Sequence, residues 1–290
     1  MAKVRPSFSI DEDADEIPMG GGKYASHGQG WIFCGDVADT LPAGIYRAQR
    51  WMSTPLLEPV DLRSDSPISI PGSAAEQISQ EISRFWKLGI KFANMGVLHK
   101  RGILMFGLPG SGKTSTAIAV ARKVVSDGGI VFVLAGGDFQ QLKDAIRLIR
   151  LREETRPILC LLEDIDDIVE NGFEEALLSF LDGEDQVNHI AVLATTNSLE
   201  KLGDRIQNRP CRFDVVMEIG MPSMAERVAY LTARLDNVKE AKGWAAETEG
   251  MSLAHLRELV VAVKCMGEAP KSVLKRLRSM MEKKVISNPN

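Results

Sequence analysis

GILMFGLPGSGKT, residues 102–114, decides the fold class of this chain. Its opening residues form an apolar run, as expected of a strand buried on both faces. The last eight, Gly107–Thr114, fit G-x-x-x-x-G-K-[ST], and Ser115–Val125 continues with helical composition. Strand, glycine turn and helix in that order form an anion cradle. Gly107, Gly110 and Gly112 let backbone N–H groups converge without Cβ obstruction, and the helix N-terminus adds partial positive charge. Lys113 is placed to reach β- and γ-phosphates and the Thr114 hydroxyl to hold Mg²⁺. Pro109, Ser111 and Ser115 complete the expected nucleotide-contacting set, with ATP and Mg²⁺ as the expected ligands.

Similar apolar runs follow at 130–134 (IVFVL), 158–162 (ILCLL), 190–195 (IAVLAT) and 215–219 (VVMEI), separated by turn or helix patterns. The alternation predicts an α/β fold, a parallel sheet flanked by helices. The third run ends in Glu163-Asp164, then Asp166-Asp167. Ligands of open α/β sheets bind at the carboxyl ends of the strands. An acid pair at that edge, about fifty residues beyond a phosphate cradle, fits metal holding and water activation. A solvated acidic turn is the plain alternative.

Upstream, Ser73 and Glu76 make an S-x-x-E cap, and Ile78, Ile82 and Phe85 share one face of the helix it opens. After Pro222 the strands give way to helical spacings at Met224–Leu235, Leu253–Val263 and Leu274–Met281. The last is basic, with Lys271, Lys275, Arg276, Arg278, Lys283 and Lys284. These shifts predict a flexible acidic and glycine-rich leader (1–29), a small β-rich segment (30–72), an α/β nucleotide-binding domain (73–222) and a helical lid (223–290).

The 290 residues carry a net charge of −4, which gives no global reason to expect a polyanionic partner. Cys34, Cys160, Cys211 and Cys265 form no C-x-x-C pair and read as reduced thiols. MAKVRPSFSIDEDADE has no apolar centre, and no run reaches bilayer length. A cytoplasmic protein without a membrane segment is expected.

With these motifs in this order, the chain resembles the AAA family of AAA+ ATPases over about residues 74–266. Glu163-Asp164 looks like its Walker B pair, and TTN at 195–197 resembles the sensor-1 segment, with Asn197 helping to hold the attacking water. NRPCRFD at 208–214 resembles R-P-G-R-F-D, which makes Arg209 and Arg212 arginine-finger candidates; surface ion pairing is the alternative for both. LLSFLDG at 177–183 also fits, and TEGMSLAHL at 248–256 resembles the lid segment, with His255 where an acidic residue is usual. The Glu-then-Asp order looks like the branch containing the mitochondrial Rieske-protein translocase. By that match Glu163 takes the metal side, with Thr114, and Asp164 the water side.

The resemblance implies a homo-oligomeric ring, a hexamer in most cases, with each site completed by arginines of a neighbour. Its implied work is ATP hydrolysis coupled to remodelling of a protein client. Unfoldases of the family carry an aromatic grip after the second strand. Here GGDFQQLKDAI (136–146) offers only Phe139, at a place suited to core packing. The alternative is a nucleic-acid-associated accessory ATPase (a loader, replication or transposition factor), for which the basic final helix is the direct support. A GTPase lacks its N-K-x-D-like element, and the set Lys113, Glu163, Asp164, Asn197 and Arg212 speaks against a non-catalytic scaffold.

Overall fold

The computed structural model describes residues 23–27, 30–34, 39–51, 54–62, 68, 70–134, 136–182, 186–207 and 212–286. The chain divides into two units, residues 1–41 and 42–290. In the smaller one, β1 (Lys23–His27) and β2 (Gly30–Cys34) pair antiparallel, Lys23 opposite Cys34. A strand therefore lies within the expected 1–29 leader, whose residues 1–22 are outside the described set.

The larger unit opens with a hairpin, β3 (Gly44–Trp51) and β4 (Thr54–Pro59). It is not part of a separate β-rich segment. β3 runs parallel to β6 (Ile130–Leu134), placing Ile45 opposite Val131, so the hairpin forms one edge of the main sheet. Along β3, Tyr46 and Ala48 share one face and are buried, while Ile45, Arg47 and Gln49 on the opposite face are half-buried; β4 is the strand left at the edge.

The remaining strands are β5 (Lys100–Phe106), β7 (Ile158–Leu162), β8 (Ile190–Thr196) and β9 (Val215–Glu218). The seven-stranded order is β4-β3-β6-β7-β8-β5-β9, parallel except for the β3–β4 pair. Every residue of β7 and β8 is buried, which is why both read as unbroken apolar runs. Around the sheet lie α1 (Ala74–Trp86), α2 (Gly89–Asn94), α3 (Lys113–Ser126), α4 (Phe139–Arg150), α5 (Ile165–Glu170), α6 (Glu174–Asp182) and α7 (Gly203–Gln207). Ser73 caps α1 as expected: its Oγ accepts from the Glu76 N–H at 3.4 Å, while the Glu76 carboxylate accepts from the Gly72 N–H at 2.6 Å. Ile78, Ile82 and Phe85 face inward with Val120, Val124, Ile103 and Leu193, each contributing about 1.5–3 kcal/mol by burial. Phe139 is 3 % exposed and packs on Phe180 with ring centroids 5.6 Å apart, so its place is in the core.

Four helices complete the chain: α8 (Met224–Leu235), α9 (Val238–Glu247), α10 (Leu253–Val260) and α11 (Pro270–Ile286). They enclose their own core of Leu231, Trp244, Leu256, Leu259, Val273 and Leu277. The sequence spacing predicts three of them and misses α9, whose buried face is only Ala241, Trp244 and Ala245. His255 has a structural task. Its Nδ1 accepts from the Ser252 N–H at 3.3 Å and the Ser252 Oγ accepts from the His255 N–H at 3.4 Å, so imidazole replaces the acid of a capping box on α10. Cys160 and Cys265 are free thiols.

Candidate active site

Strand order builds the site. β7, β8 and β5 are neighbours, and each delivers one motif at its carboxyl end: Glu163-Asp164, Asn197 and Gly107–Thr114 respectively. Adjacent parallel strands lie about 4.8 Å apart, so residues scattered over 90 positions of sequence meet in a space of a few strand widths.

The turn after β5 needs its glycines. Gly107, Gly110 and Gly112 have φ of 155°, 85° and 112°. A Cβ on Gly107 would stand 2.3 Å from the Ile219 carbonyl oxygen, which side-chain-bearing residues cannot tolerate. Lys113 heads α3, is 6 % exposed, and directs its Nζ inward. That ammonium donates to Gly107 O at 2.8 Å, Leu108 O at 3.2 Å and Asn197 Oδ1 at 2.8 Å. Asn197 passes the contact on, its Nδ2 donating to Asp164 Oδ1 at 3.1 Å. The motifs of three strands are thus joined in one chain, Lys113–Asn197–Asp164.

Electrostatics follow from the burial. Desolvation lowers the Lys113 pKa, opposed by the charges of Asp164 and Asp166. Desolvation also raises Asp164, with Asp166 and Asp167 adding to the rise, against Lys113 and the Asn197 hydrogen bond. Glu163 is raised by burial, while a hydrogen bond with the Thr114 hydroxyl opposes the rise. Its Oε1 is buried with no hydrogen-bond partner among the described residues, as are Ser111 Oγ and Asp166 Oδ1. Such orphaned acceptors are costly unless a ligand satisfies them. A carboxylate and a hydroxyl side by side are hard oxygen donors of the kind Mg²⁺ takes together with phosphate oxygens. The residues present fit Mg·ATP.

A cavity of about 640 Å³ opens beside Gly110, Gly112, Lys113, Thr114, Asp164 and Asn197, with Pro109 and Ser115 at its border. Of its other walls, Leu253 lies in the TEGMSLAHL segment, while Ile68, Ile70, Tyr230, Arg234 and Arg257 were missed by motif reading. Ile68 and Ile70 come from the proline-broken stretch before α1, and Tyr230, Arg234, Leu253 and Arg257 from the lid helices. Ile68 and Ile70 also pack on the lid core, so the apolar wall joins the two halves of the pocket. No spacing rule would have assigned Ile68, Ile70, Tyr230, Arg234 or Arg257 to this pocket, because each is brought in by tertiary packing.

Arg212 lies beside the end of α6. It is 4 % exposed, and its Nε donates to Asp182 Oδ2 at 2.6 Å, at the end of α6. Its Nη1 is buried with no hydrogen-bond partner among the described residues, so the guanidinium is only partly satisfied by its own subunit. The backbone beside it is confined. Asp214 N–H donates to Gly102 O and Gly102 N–H to Asp214 Oδ2, both at 2.9 Å, and a Cβ on Gly102 would strike the Arg212 carbonyl oxygen at 1.9 Å. Arg209 lies outside the described residues.

Comparison with known proteins agrees with this geometry. Residues 103–221 match the family described as "ATPase family associated with various cellular activities (AAA)". The chain is 32 % identical over 218 residues to a proteasome-activating nucleotidase of Aeropyrum pernix, covering 66 % of this chain and 52 % of that protein. It is 31 % identical over 210 residues to an ATP-dependent zinc metalloprotease FtsH of Lancefieldella parvula, covering 64 % of this chain and 32 % of the relative. A proteasome-activating nucleotidase of Methanosarcina mazei is 29 % identical over 217 residues, 65 % of this chain and 50 % of that protein. The chain therefore spans from about a third to a half of the length of these relatives. Residues 103–221 of this chain are an AAA ATPase family domain, built around a phosphate cradle and an acid pair on adjacent strand ends.

Proposed function

We propose that the chain hydrolyses ATP with Mg²⁺ in a homo-oligomeric ring, with six subunits the expected number, and uses the cycle to remodel a protein client in the cytoplasm. The observation that carries the reading is the Lys113–Asn197–Asp164 chain beside a glycine turn of positive φ. A divalent ion held between Thr114 and Glu163 would supply Lewis-acid charge at the β- and γ-phosphate oxygens. Lys113 exchanges its carbonyl contacts for phosphate oxygens and fixes their position. Asp164, its carboxylate held by Asn197, takes the proton of the attacking water. Asn197 keeps that carboxylate and the lysine in register. Ile68, Ile70 and Tyr230 offer the base of the nucleotide an apolar wall.

The protein-client reading draws on relatives named for proteasome activation and proteolysis. The zinc-binding pattern H-E-x-x-H does not occur in these 290 residues, so the metalloprotease half of that relative's name is not carried over. The alternative nucleic-acid reading is weakened at α11, because Arg276 pairs with Glu258 and Glu268 and Arg278 is bound to the Glu247 carbonyl. Among the described residues no helix is long and apolar enough to cross a membrane. The finer placement beside the Rieske-protein translocase rests on the Glu163-Asp164 order alone.

Arg209 and Arg212 are the arginines proposed to act between subunits, and Arg209 is the cleaner one to test because Arg212 also pairs with Asp182 of its own subunit. Arg209→Ala should lower turnover by about 10³-fold or more while sparing ATP binding, and mixing it with Lys113→Ala should restore part of the activity. Arg212→Ala should lower turnover and also the melting temperature, because it removes the Asp182 contact. ATPase assays of wild type and mixtures, with and without DNA over a salt series, test the whole reading. No restoration at any ratio counts against a shared site, and strong salt-sensitive stimulation by DNA favours the alternative.

A further inference from the structure

Asp164 sits in an unusual place for its work. Its φ and ψ are 48° and 59°, left-handed values that cost a non-glycine residue about 1 kcal/mol or more. It is the N-cap of α5 but makes no side-chain capping bond to that helix, since its carboxylate is turned to Asn197 instead. Something must therefore hold the backbone in that conformation. The Asp164 N–H donates to Thr195 Oγ1 at 2.9 Å. Thr195 is fully buried on β8, where no water can replace it.

The register explains the reach. β7 and β8 run parallel with Leu162 opposite Ala194, so Thr195 stands one step further along, beside the turn that carries Asp164. Thr195 lies within β8 and Asn197 just past its end, two residues on. One takes the Asp164 backbone and the other its carboxylate. We infer that Thr195 is a positioning residue, whose hydroxyl pins the Asp164 backbone so that the short carboxylate reaches the site. An aspartate is one methylene shorter than glutamate, so its placement depends more on where its backbone is fixed. The inference rests on the assignment of Asp164 to water activation proposed above.

Thr195→Val keeps the buried volume but removes the acceptor, and Thr195→Ser keeps the acceptor. The first measurement uses nucleotide-free, full-length protein: hydrogen exchange at the Asp164 amide. Thr195→Val should accelerate it by about tenfold, the equivalent of one lost hydrogen bond, and Thr195→Ser should restore it. The second is steady-state ATP hydrolysis with separate titration of nucleotide affinity. For Thr195→Val kcat should fall about tenfold with affinity within about twofold of wild type, and serine should rescue it. In an Asp164→Asn background, Thr195→Val should have no further effect on kcat. Unchanged exchange at Asp164 would overturn the pinning itself. Faster exchange with wild-type kcat would overturn the positioning role. If Asp164→Asn alone turned over normally, the assignment of Asp164 would fall and the inference with it, an outcome told apart from the others by the exchange result.

Discussion

The two ends of the β5–β8 pair carry the same kind of contact and put it to different use. At the carboxyl ends, Lys113 and Asn197 meet at 2.8 Å beside an open cavity, and the motif segments there carry orphaned oxygens on Ser111, Glu163 and Asp166. At the amino ends, His99 and His189 meet Nδ1 to Nδ1, also at 2.8 Å. There Phe85, Trp86 and Phe92 ring His99, and its Nε2 donates to Phe85 O at 2.8 Å. With both rings neutral, His189 Nδ1–H can donate to His99 Nδ1, and the two are mutually satisfied. The lesson is that a short polar contact marks a working site only where glycine backbone, a cavity and unsatisfied acceptors accompany it. The histidine end has its partners already and serves as a clasp.

The largest effect that would break this contrast is on the carboxyl side. Asp164→Asn should retain nucleotide affinity and lose about 10²–10⁴-fold in kcat, measured by phosphate release. Normal turnover would move water activation elsewhere. On the amino side, His99→Leu removes one hydrogen bond from the Phe85 carbonyl, which keeps that of the Leu88 N–H, and should cost about 0.5–1.5 kcal/mol in denaturant unfolding, with nucleotide affinity unchanged. A loss of affinity there would make the two ends one functional unit.

The smallest effect is a pH dependence. Burial lowers the pKa of both His99 and His189 from the ordinary 6.5; at His99 the Phe85 carbonyl hydrogen bond opposes this and Arg150 adds to it, while at His189 His99 and Arg150 add to it and Glu154 opposes it. The unfolded chain then takes up protons before the folded one. The clasp's contribution is whole above about pH 6.5 and is lost as pH falls through that value towards the folded-state pKa. Wild type should lose more unfolding free energy between pH 7 and pH 5 than His99→Leu; equal losses would refute the neutral pairing.

The working end was the legible one. Its strands are buried on both faces, so they read as apolar runs, and each motif sits at a strand's carboxyl end where topology fixes its place. What stayed hidden depends on distant partners. Nothing in the alternation of GIYRAQRW says that β3 will add to the sheet beside β6. α9 shows a small inward face of two alanines and a tryptophan, too little for a spacing rule. The motif around Arg212 does not announce that Asp182, thirty residues earlier, will engage it. Thr195 lies within the quoted TTN segment, but only the left-handed backbone of Asp164 reveals its use.

The most direct test of the central claim is calorimetric titration of nucleotide-free, full-length protein with a slowly hydrolysed ATP analogue, with and without Mg²⁺, beside Lys113→Ala. Saturable binding that strengthens with Mg²⁺ and disappears in Lys113→Ala is the predicted result. Absence of binding to the wild type, or equal binding by Lys113→Ala, would contradict it.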